Sequence, residues 1–277
     1  MTNQLDEYYF YNGELVNDAS IASESIPANA VYEVMKIIDG KPLFFEDHME
    51  RFHKSINKQG HIFDIPAGEI LNEIAFLCQA NKQINKNIKM IYIPLDEVDA
   101  FDFMMYFSPR ITISQTQRDS GVKVKTMLLE RHNPGIKTIG ESYKDSISEI
   151  YHNKDLLELL LVNGDGIITE GSRSNVFFVK DNTVYTSPAE AILLGITRKK
   201  IIHLCQDKGV PIVYKKISVK EAYGMEGAFL TGTSIGVVPI RYIDDKEYNH
   251  QDDIIQRLAK GYHDSVQDDI INFVLPE

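Results

Sequence analysis

The chain has 277 residues, of which 43% are hydrophobic and 25% charged, a composition typical of a globular protein with two domains. Its net charge of −11 argues against a nucleic acid or an anionic membrane as partner, because no excess of lysine and arginine is present to neutralise phosphates. Two cysteines, Cys78 and Cys205, are too few for a disulfide framework and are expected to be free and buried.

Several other classes of protein lack their sequence signals here. The first seven residues are polar and acidic, unlike a secretory signal, and no apolar run approaches the ~20 residues that span a bilayer, so a cytoplasmic location is expected. The eight histidines do not show metal-ligand spacing with a cysteine or carboxylate partner, so no metal site is predicted. Walker and dinucleotide-binding glycine fingerprints are also absent from the sequence.

The first part of the chain predicts hairpins followed by helices and strands. Asn12-Gly13 and Asp39-Gly40 each separate two strand-like runs and are typical hairpin turns. The second turn is expected to join a strand at Val31–Ile38 to a strand at Pro42–Phe45. The further predicted elements are helices from Glu46 to Gln59 and over residues 67–80, and strands at Ile88–Ile93 and Phe101–Phe107.

The second part of the chain again mixes strands and helices. Its predicted elements are strands at Val122–Leu129 and Leu156–Val162, a turn at Asn163–Gly166, and helices at 140–154, 196–208 and 252–272. A polar stretch before them indicates a domain boundary. We therefore expect a small N-terminal α/β domain of residues 1–113, a linker of residues 114–120 and a larger C-terminal α/β domain of residues 121–277. The expected class is α+β, with a largely antiparallel sheet in each domain.

Two side chains suggest chemistry on a pyridine cofactor. Lys137 stands in a short apolar, glycine-flanked loop, and Glu170 lies 33 residues later at a polar turn before an apolar run, Asn175–Val179. A lysine that forms a Schiff base and a glutamate that keeps a ring nitrogen protonated are the minimum for pyridoxal phosphate chemistry. Taken singly, Lys137 is more simply a surface lysine and Glu170 a solvated hairpin residue.

Three places could bind a phosphate group, which needs cationic forks and the free amides of a helix start. Arg51 lies on the first long helix. Ile196 and Thr197 follow Gly195 at the start of an apolar helix, and Thr231–Ser234 follows the apolar strand Ala228–Leu230. Each signal is weak alone, since an arginine on a helix is usually solvated.

These residues, in this order and spacing, resemble the class IV aminotransferase family, the fold type IV pyridoxal-phosphate enzymes. The family includes branched-chain amino acid aminotransferases, D-amino acid aminotransferases and aminodeoxychorismate lyases. The resemblance implies a homodimer whose subunits each hold pyridoxal 5'-phosphate in a cleft between two α/β domains. By this resemblance the Schiff-base lysine is Lys137, the partner of the pyridine nitrogen is Glu170, the phosphate contacts are Arg51, Ile196, Thr197 and Thr233, and the substrate contacts are Tyr32, Gly232, Thr233 and Ser234.

The chain departs from the family at two positions that concern the substrate. Family members often carry an arginine after a strand of the small domain, but Ile91–Asp96 contains none. Branched-chain enzymes place a tyrosine five residues after the lysine, where this chain has Ser142, followed by Tyr143. We therefore expect the α-carboxylate of the substrate to be held by the amides of Gly232–Ser234 or by Arg110, and a neutral, hydrophobic amino donor to be preferred.

The predicted function is transfer of an amino group between an amino acid and a 2-oxo acid. The amino acid displaces Lys137 from the cofactor, and the freed amine moves the α-proton. Two alternatives stay open. One is an aminodeoxychorismate lyase that forms 4-aminobenzoate and pyruvate, and the other is a non-catalytic homologue that only binds pyridoxal phosphate.

Overall fold

The computed structural model describes residues 7–17, 26–97, 100–131, 134–139 and 156–274. The chain divides into two compact units. The first comprises Met1–Arg110, Ile136–Gly140 and Val266–Glu277, and the second comprises Ile111–Gly135 and Glu141–Ser265.

The first unit is built on a six-stranded antiparallel sheet with the strand order β2-β1-β6-β5-β3-β4. Its strands are β1 (Tyr9–Tyr11), β2 (Glu14–Val16), β3 (Val31–Ile38), β4 (Lys41–Pro42), β5 (Asn87–Pro94) and β6 (Phe101–Ser108). Two helices, α1 (Phe45–Asn57) and α2 (Ala67–Asn81), lie between β4 and β5 in the sequence. The predicted helices and strands are therefore confirmed here, apart from one strand.

Both predicted hairpin turns are confirmed by their backbone angles. Asn12 and Asp39 have φ values of 48° and 49°, and the glycine that follows each has a φ value of 80° or 79°. Two successive left-handed residues form the tight turn that matches the twist of antiparallel strands. The predicted strand at Pro42–Phe45 is wrong beyond Pro42, because Phe44 turns left-handed (φ 52°) and Phe45 already begins α1.

The two faces of this sheet carry different side chains, since neighbours along a strand point to opposite sides. Val31, Met35 and Ile37 of β3 join the main core together with residues of α1 and α2. On the other face, Tyr32 packs against a second, aromatic cluster. The buried members of that cluster are Tyr9, Ala30, Ile91, Met104 and Tyr106.

The second unit is built on a larger mixed sheet with the strand order β12-β11-β10-β14-β15-β7-β8-β9-β13, and β16 pairs with β15. Its strands are β7 (Val122–Leu128), β8 (Leu156–Val162), β9 (Ile167–Gly171), β10 (Asn175–Lys180), β11 (Thr183–Thr186), β12 (Ile212–Tyr214), β13 (Ile217–Ser218), β14 (Gly227–Gly232), β15 (Gly236–Ile243) and β16 (Lys246–Glu247). Three pairs are parallel, β7 with β8, β7 with β15, and β11 with β12, so this sheet is less uniformly antiparallel than expected.

The helices described after β6 are α3 (Gln115–Ser120), α4 (Ile196–Asp207), α5 (Val219–Ala222) and α6 (Asp253–Asn272), and α6 from Val266 onward groups with the first unit. The predicted turn at Asn163–Gly166 is confirmed, and Gly166 takes a φ value of 74° there. The predicted helix at 140–154, with Ser142 and Tyr143, lies outside the described residues. Both cysteines are free and buried, and burial raises the pKa of each thiol to about 11.

The division into units bears on the expected domains. The stretch proposed as a linker, residues 114–120, contains α3, whose first turn is closed by a capping box between Ser114 and Gln117. Residues 136–140 and 266–277 group with the first unit although they lie late in the sequence. The domains of residues 1–113 and 121–277 stay a prediction. Among the described residues, no helix is both long and apolar enough to cross a membrane.

Candidate active site

Lys137 is fixed beside the amino-terminal end of β3 by backbone hydrogen bonds. The amide of Tyr32 donates to the carbonyl oxygen of Lys137 at 2.9 Å, and the amide of Ile139 donates to the carbonyl oxygen of Ala30 at 3.0 Å. Val31 and Thr138 are bridge partners between these bonds. The short segment thus extends the sheet, and its lysine is only 9% exposed.

Glu33 is the centre of a buried cluster of charged and polar groups around Lys137. Its side chain is fully buried, and its Oε1 accepts a hydrogen bond from Nζ of Lys137 at 3.1 Å. Nδ1 of His48 lies 3.1 Å from the same oxygen. Arg51 donates from Nε to Oε2 at 2.8 Å and from Nη2 to Oε1 at 2.5 Å. A single carboxylate therefore binds the predicted catalytic amine, a histidine and a guanidinium.

The charges of this cluster follow from burial and from its cations. Burial alone would raise the pKa of Glu33, but the neighbouring Arg51 and Lys137 hold that pKa well below its usual range. Burial lowers the pKa of His48, so its ring is neutral at physiological pH and donates one hydrogen bond from Nδ1 to Glu33. The cluster is thus an anion held between two cations and a neutral imidazole.

Tyr32 lies against the same lysine from the other side of β3. Nζ of Lys137 is 5.2 Å from the centroid of the Tyr32 ring, within the range of a cation–π contact. The aromatic predicted to line the substrate site is therefore next to the predicted Schiff-base lysine. Arg51, the predicted phosphate contact, joins them through Glu33, and two of its nitrogens are engaged there.

Glu170 lies at the end of β9 in the second unit and is 2% exposed. Its Oε1 accepts from Nη1 of Arg131 at 2.9 Å, and its Oε2 accepts from the amide of Leu193 at 3.0 Å and from Nδ2 of Asn175 at 3.3 Å. Burial raises the pKa of Glu170 to about 7, although Arg131 acts in the opposite direction. A cation beside this carboxyl group, such as a protonated pyridine, would favour its ionised form for the same reason.

Asn175 connects three of the predicted site segments. Its Nδ2 donates to Glu170 and also to the carbonyl oxygen of Leu193 at 2.9 Å, just before α4. In the sheet it is the register partner of Thr231, which leads into the segment Gly232–Ser234. The second unit therefore brings Glu170, the start of α4 and this hairpin together around one amide side chain.

The start of α4 approaches Asn175 closely. Gly195 is the N-cap residue, and a Cβ atom there would overlap Oδ1 of Asn175. Glycine also offers no side chain to cap the helix, which leaves the amides of the first turn for an external anion. Ile196 and Thr197, the predicted phosphate contacts, are 4% and 2% exposed, and the hydroxyl of Thr197 lies 3.3 Å from that of Tyr262.

Gly232 ends β14, and Thr233 and Ser234 lie in the connection that leads to β15. The connection ends at Gly236, whose φ value of 69° suits glycine. Immediately before Gly232, Oγ1 of Thr231 is buried and has no hydrogen-bond partner among the residues that the structure describes. A buried hydroxyl of this kind offers a donor to a bound group.

A second buried carboxylate shapes the turn that follows Glu170. Glu158 is 2% exposed and accepts hydrogen bonds from the hydroxyls of Ser172, at 2.5 Å, and Ser174, at 2.9 Å. The amide of Arg173 donates to it as well, at 3.3 Å. The polar sequence Gly171–Ser174 is therefore wrapped around a carboxylate, which fixes the backbone between Glu170 and Asn175.

Four residues of this arrangement were not singled out from the sequence: Glu33, His48, Arg131 and Asn175. Glu33 follows Tyr32 on β3, and His48 lies about one turn before Arg51 on α1. These spacings were the available signal. Arg131 and Asn175 carry no local pattern of their own.

The described residues fit pyridoxal phosphate. Taken separately, the first unit contains a buried amine and a guanidinium, and the second contains a buried carboxylate, an uncapped helix start and the buried hydroxyl of Thr231. These are the groups that a Schiff-base carbonyl, a pyridine nitrogen and a phosphate require.

Comparisons with known proteins agree with this chemistry. The family model for amino-transferase class IV matches residues 30–243. A D-alanine aminotransferase of Staphylococcus epidermidis is 26% identical over 279 residues, which cover 93% of this chain and 97% of that protein. A probable branched-chain-amino-acid aminotransferase of Thermotoga maritima is 28% identical over 244 residues, which cover 85% of this chain and 84% of the relative.

A solved structure shows the same fold. A branched-chain amino acid aminotransferase of the organism abbreviated T.th., complexed with N-(5'-phosphopyridoxyl)-L-glutamate, is 20% identical, covers 95% of each chain and matches with a TM-score of 0.80. The expected α+β architecture is thereby confirmed as fold type IV. Since the family model spans most of its length, the chain belongs to the class IV aminotransferases, which are pyridoxal-phosphate-dependent enzymes.

Proposed function

We propose that Lys137 carries the cofactor and moves the α-proton of an amino acid in a transamination. The observation that supports this role most directly is the buried hydrogen bond between Nζ of Lys137 and the fully buried Glu33. A surface lysine does not need a buried carboxylate as its partner. An amine that must repeatedly gain and lose a proton benefits from a fixed anion, and Oε1 of Glu33 lies 3.1 Å from Nζ of Lys137.

The other residues of the first unit act on this amine. When Lys137 takes up a proton, Glu33 and the ring of Tyr32 stabilise the ammonium group. Neutral His48 holds the Glu33 carboxylate in place from Nδ1. Arg51 is proposed to bind the phosphate through its guanidinium group, whose five N–H groups can serve more than one anion.

The residues of the second unit are proposed to bind the remainder of the cofactor. Bound pyridoxal phosphate supplies a ring that withdraws electrons from the substrate Cα when its nitrogen is protonated. Glu170 keeps that nitrogen protonated, and Arg131 and Asn175 keep Glu170 oriented. The amides of Ile196 and Thr197 and the hydroxyl of Thr233 complete the phosphate contacts.

We propose a neutral, hydrophobic amino acid as the amino donor. The sheet face that carries Tyr32 is lined by apolar and aromatic side chains, and Ile91 and Met104 are 0% and 5% exposed. Neutral amides at Gly232–Ser234 bind an α-carboxylate without requiring a second acid group. Arg110 is the other predicted carboxylate ligand, and its buried Nε has no hydrogen-bond partner among the described residues.

The assembly and the location are also proposals. A homodimer is supported by the family resemblance, and a cytoplasmic location stays a prediction. Curated relatives that span most of this chain are aminotransferases, which favours transamination over the lyase and the non-catalytic alternatives.

The reaction is tested by single-turnover half-reactions with panels of L- and D-amino acids. Loss of the visible absorbance of the lysine-bound cofactor, together with formation of the 2-oxo acid, is the expected result for leucine or phenylalanine. Equal or greater kcat/KM with aspartate would contradict the proposed pocket. Conversion of aminodeoxychorismate without any reaction of amino donors would establish the lyase, and no reaction at all would establish a binding protein.

A further inference from the structure

A second ammonium group approaches the ring of Tyr32. Nζ of Lys89 lies 4.7 Å from the ring centroid, and Nζ of Lys137 lies 5.2 Å from the same centroid. From this geometry we propose that Lys89 binds a carboxylate of the substrate. The inference rests on the proposed aminotransferase function and supplies a carboxylate-binding cation that the sequence did not reveal.

The sheet register places Lys89 on the substrate side of the first unit. In β5, Lys89 is the partner of Val34 on β3 and of Tyr106 on β6. Ile91, two residues further, is the partner of Tyr32. Because side chains alternate along a strand, Lys89 shares the face of Ile91 and Tyr32 and lies diagonally across from the tyrosine.

The surroundings of Lys89 favour binding of an anion. Tyr106, directly opposite, is 5% exposed, and burial raises the pKa of its phenol to about 12, so it stays neutral. Lys89 itself is half-buried at the end of an aromatic and apolar face. A half-buried ammonium group there is less screened than one on the open surface, which strengthens its attraction for a carboxylate.

Lys89 also supplies a positive charge near the stretch that lacks the arginine found in many family members. It is the one charged residue in the sequence of β5, and the arginine-free stretch Ile91–Asp96 begins two residues later on the same strand. In a protein with a net charge of −11, the ammonium group of Lys89 beside the Tyr32 ring adds a positive charge to this face. Every amino acid and 2-oxo acid carries at least one carboxylate that this charge attracts.

The test compares steady-state kinetics of the wild-type holoenzyme with three variants, using pyruvate and 2-oxoglutarate as acceptors. Lys89→Met removes the charge and keeps the length of the stem, and Lys89→Arg retains the charge. Lys86→Met is the matched control, because Nζ of Lys86 also lies over an aromatic ring of this sheet, that of Phe107, 5.9 Å away, which belongs to the main core on the other face. Cofactor content is measured for each variant to confirm an intact site.

For Lys89→Met we expect KM to rise at least about tenfold, with kcat changed less than about threefold, as for loss of one charge-assisted hydrogen bond. A rise for both acceptors assigns Lys89 to the α-carboxylate, and a rise for 2-oxoglutarate alone assigns it to the second carboxylate. Lys89→Arg should recover most of the loss, and Lys86→Met should resemble the wild type.

Two results would overturn the inference. One is a KM for Lys89→Met within about twofold of the wild type for every acceptor that is used. The other is an equal rise in Lys86→Met, which would indicate a general effect on the sheet. Absence of any turnover in the wild-type enzyme is a different outcome, because it refutes the proposed function itself.

Discussion

Glu33 shows how one side chain can govern a site. Its carboxylate receives hydrogen bonds from Lys137 and Arg51 while it is fully buried, and these two cations hold its pKa well below the usual range. A buried ion pair of this kind gives little net stability over an apolar core, but removal of one partner is costly because it leaves a buried charge uncompensated.

We predict that Glu33→Gln destabilises the cofactor-free enzyme by roughly 3–5 kcal/mol, nearer the lower limit because Lys137 and Arg51 retain slight exposure. Since the cations lower the pKa of Glu33, its contribution is present at neutral pH and is lost as pH falls through that lowered pKa. Thermal unfolding at pH 7 and at acidic pH measures both effects, with exposed Glu130→Gln as the control. Equal Tm values for Glu33→Gln and the wild type at pH 7 would refute the prediction that the Glu33 carboxylate stabilises the folded enzyme.

Arg51 gives a second prediction at this scale. Arg51→Ala should weaken cofactor binding by at least about tenfold, because a guanidinium fork on phosphate is a charge-assisted bond. Titration of cofactor-free enzyme with pyridoxal phosphate measures the Kd. Arg241→Ala, which removes an arginine paired with the exposed Glu247, should leave the Kd unchanged. An unaltered Kd in Arg51→Ala would show that Arg51 serves Glu33 alone.

Single residues were predictable from sequence where they belong to a local pattern. Lys137 and Glu170 stand in short motifs, and the structure places each in a buried, hydrogen-bonded position. Arg131 could not be predicted, because its contact with Glu170 joins residues 39 positions apart. Their roles on the cofactor stay predictions.

At the level of elements, the second unit depends on close approach between β10, α4 and the hairpin at Gly232–Ser234. Asn175 starts β10 and reaches the other two segments, through Leu193 before α4 and through its partner Thr231. The space beside it is small enough to require glycine at position 195. Packing at this point therefore determines where the first amides of α4 lie.

Gly195→Ala should consequently destabilise the enzyme by about 1–3 kcal/mol and weaken its retention of the cofactor, because the added Cβ displaces Asn175. Gly164→Ala is the matched control, since a Cβ there meets nothing within 4 Å. Thermal unfolding and cofactor release on dialysis report the two effects. Indistinguishable behaviour of both variants would mean that the site tolerates movement of α4.

Most helices and strands were predictable because their apolar residues recur with a clear helical or strand period and because turn residues mark their ends. The apolar face of α6 is an example, since Ile255, Leu258, Tyr262 and Val266 are all buried. The exception at Pro42–Phe45 is instructive. Apolar composition favoured a strand there, but the amide of Phe44 donates to Asp269, 225 residues away, and the chain turns into α1 instead.

For the whole molecule, sequence predicts the family and the fold, and the two domains of residues 1–113 and 121–277 stay a prediction. Residues 136–140 belong to the first unit, because Lys137 and Ile139 pair with the start of β3, and no local pattern reveals that pairing. In the proposed function, substrate choice depends likewise on side chains from more than one strand, since Tyr32 lies on β3 and Lys89 on β5.

The stability of the whole molecule should depend on pH through one buried carboxyl group, that of Glu73. Glu73 on α2 is 5% exposed, its Oε2 has no hydrogen-bond partner among the described residues, and burial raises its pKa from 4.5 to about 7. The folded enzyme therefore holds this proton more tightly than the unfolded chain, and the resulting stability is full below pH 4.5 and lost as pH rises through 7.

Glu73→Gln cannot ionise, so it should match the wild type at pH 5 and exceed its Tm by roughly 2–5 °C at pH 8. Glu14→Gln, at an exposed position of β2, should show no such pH dependence. A Tm difference that is the same at both pH values would contradict a proton held by Glu73.

The central claim, that Lys137 carries the cofactor, is tested most directly by borohydride reduction of the holoenzyme followed by peptide mapping. We predict a pyridoxyl group on Lys137, whose amine is the buried partner of Glu33. Lys137→Ala should lose the label and all turnover but keep its fold, because Arg51 and His48 still hold the buried carboxylate of Glu33. A pyridoxyl group on Lys125 or Lys144 in the wild-type enzyme would contradict the assignment and the site built around it.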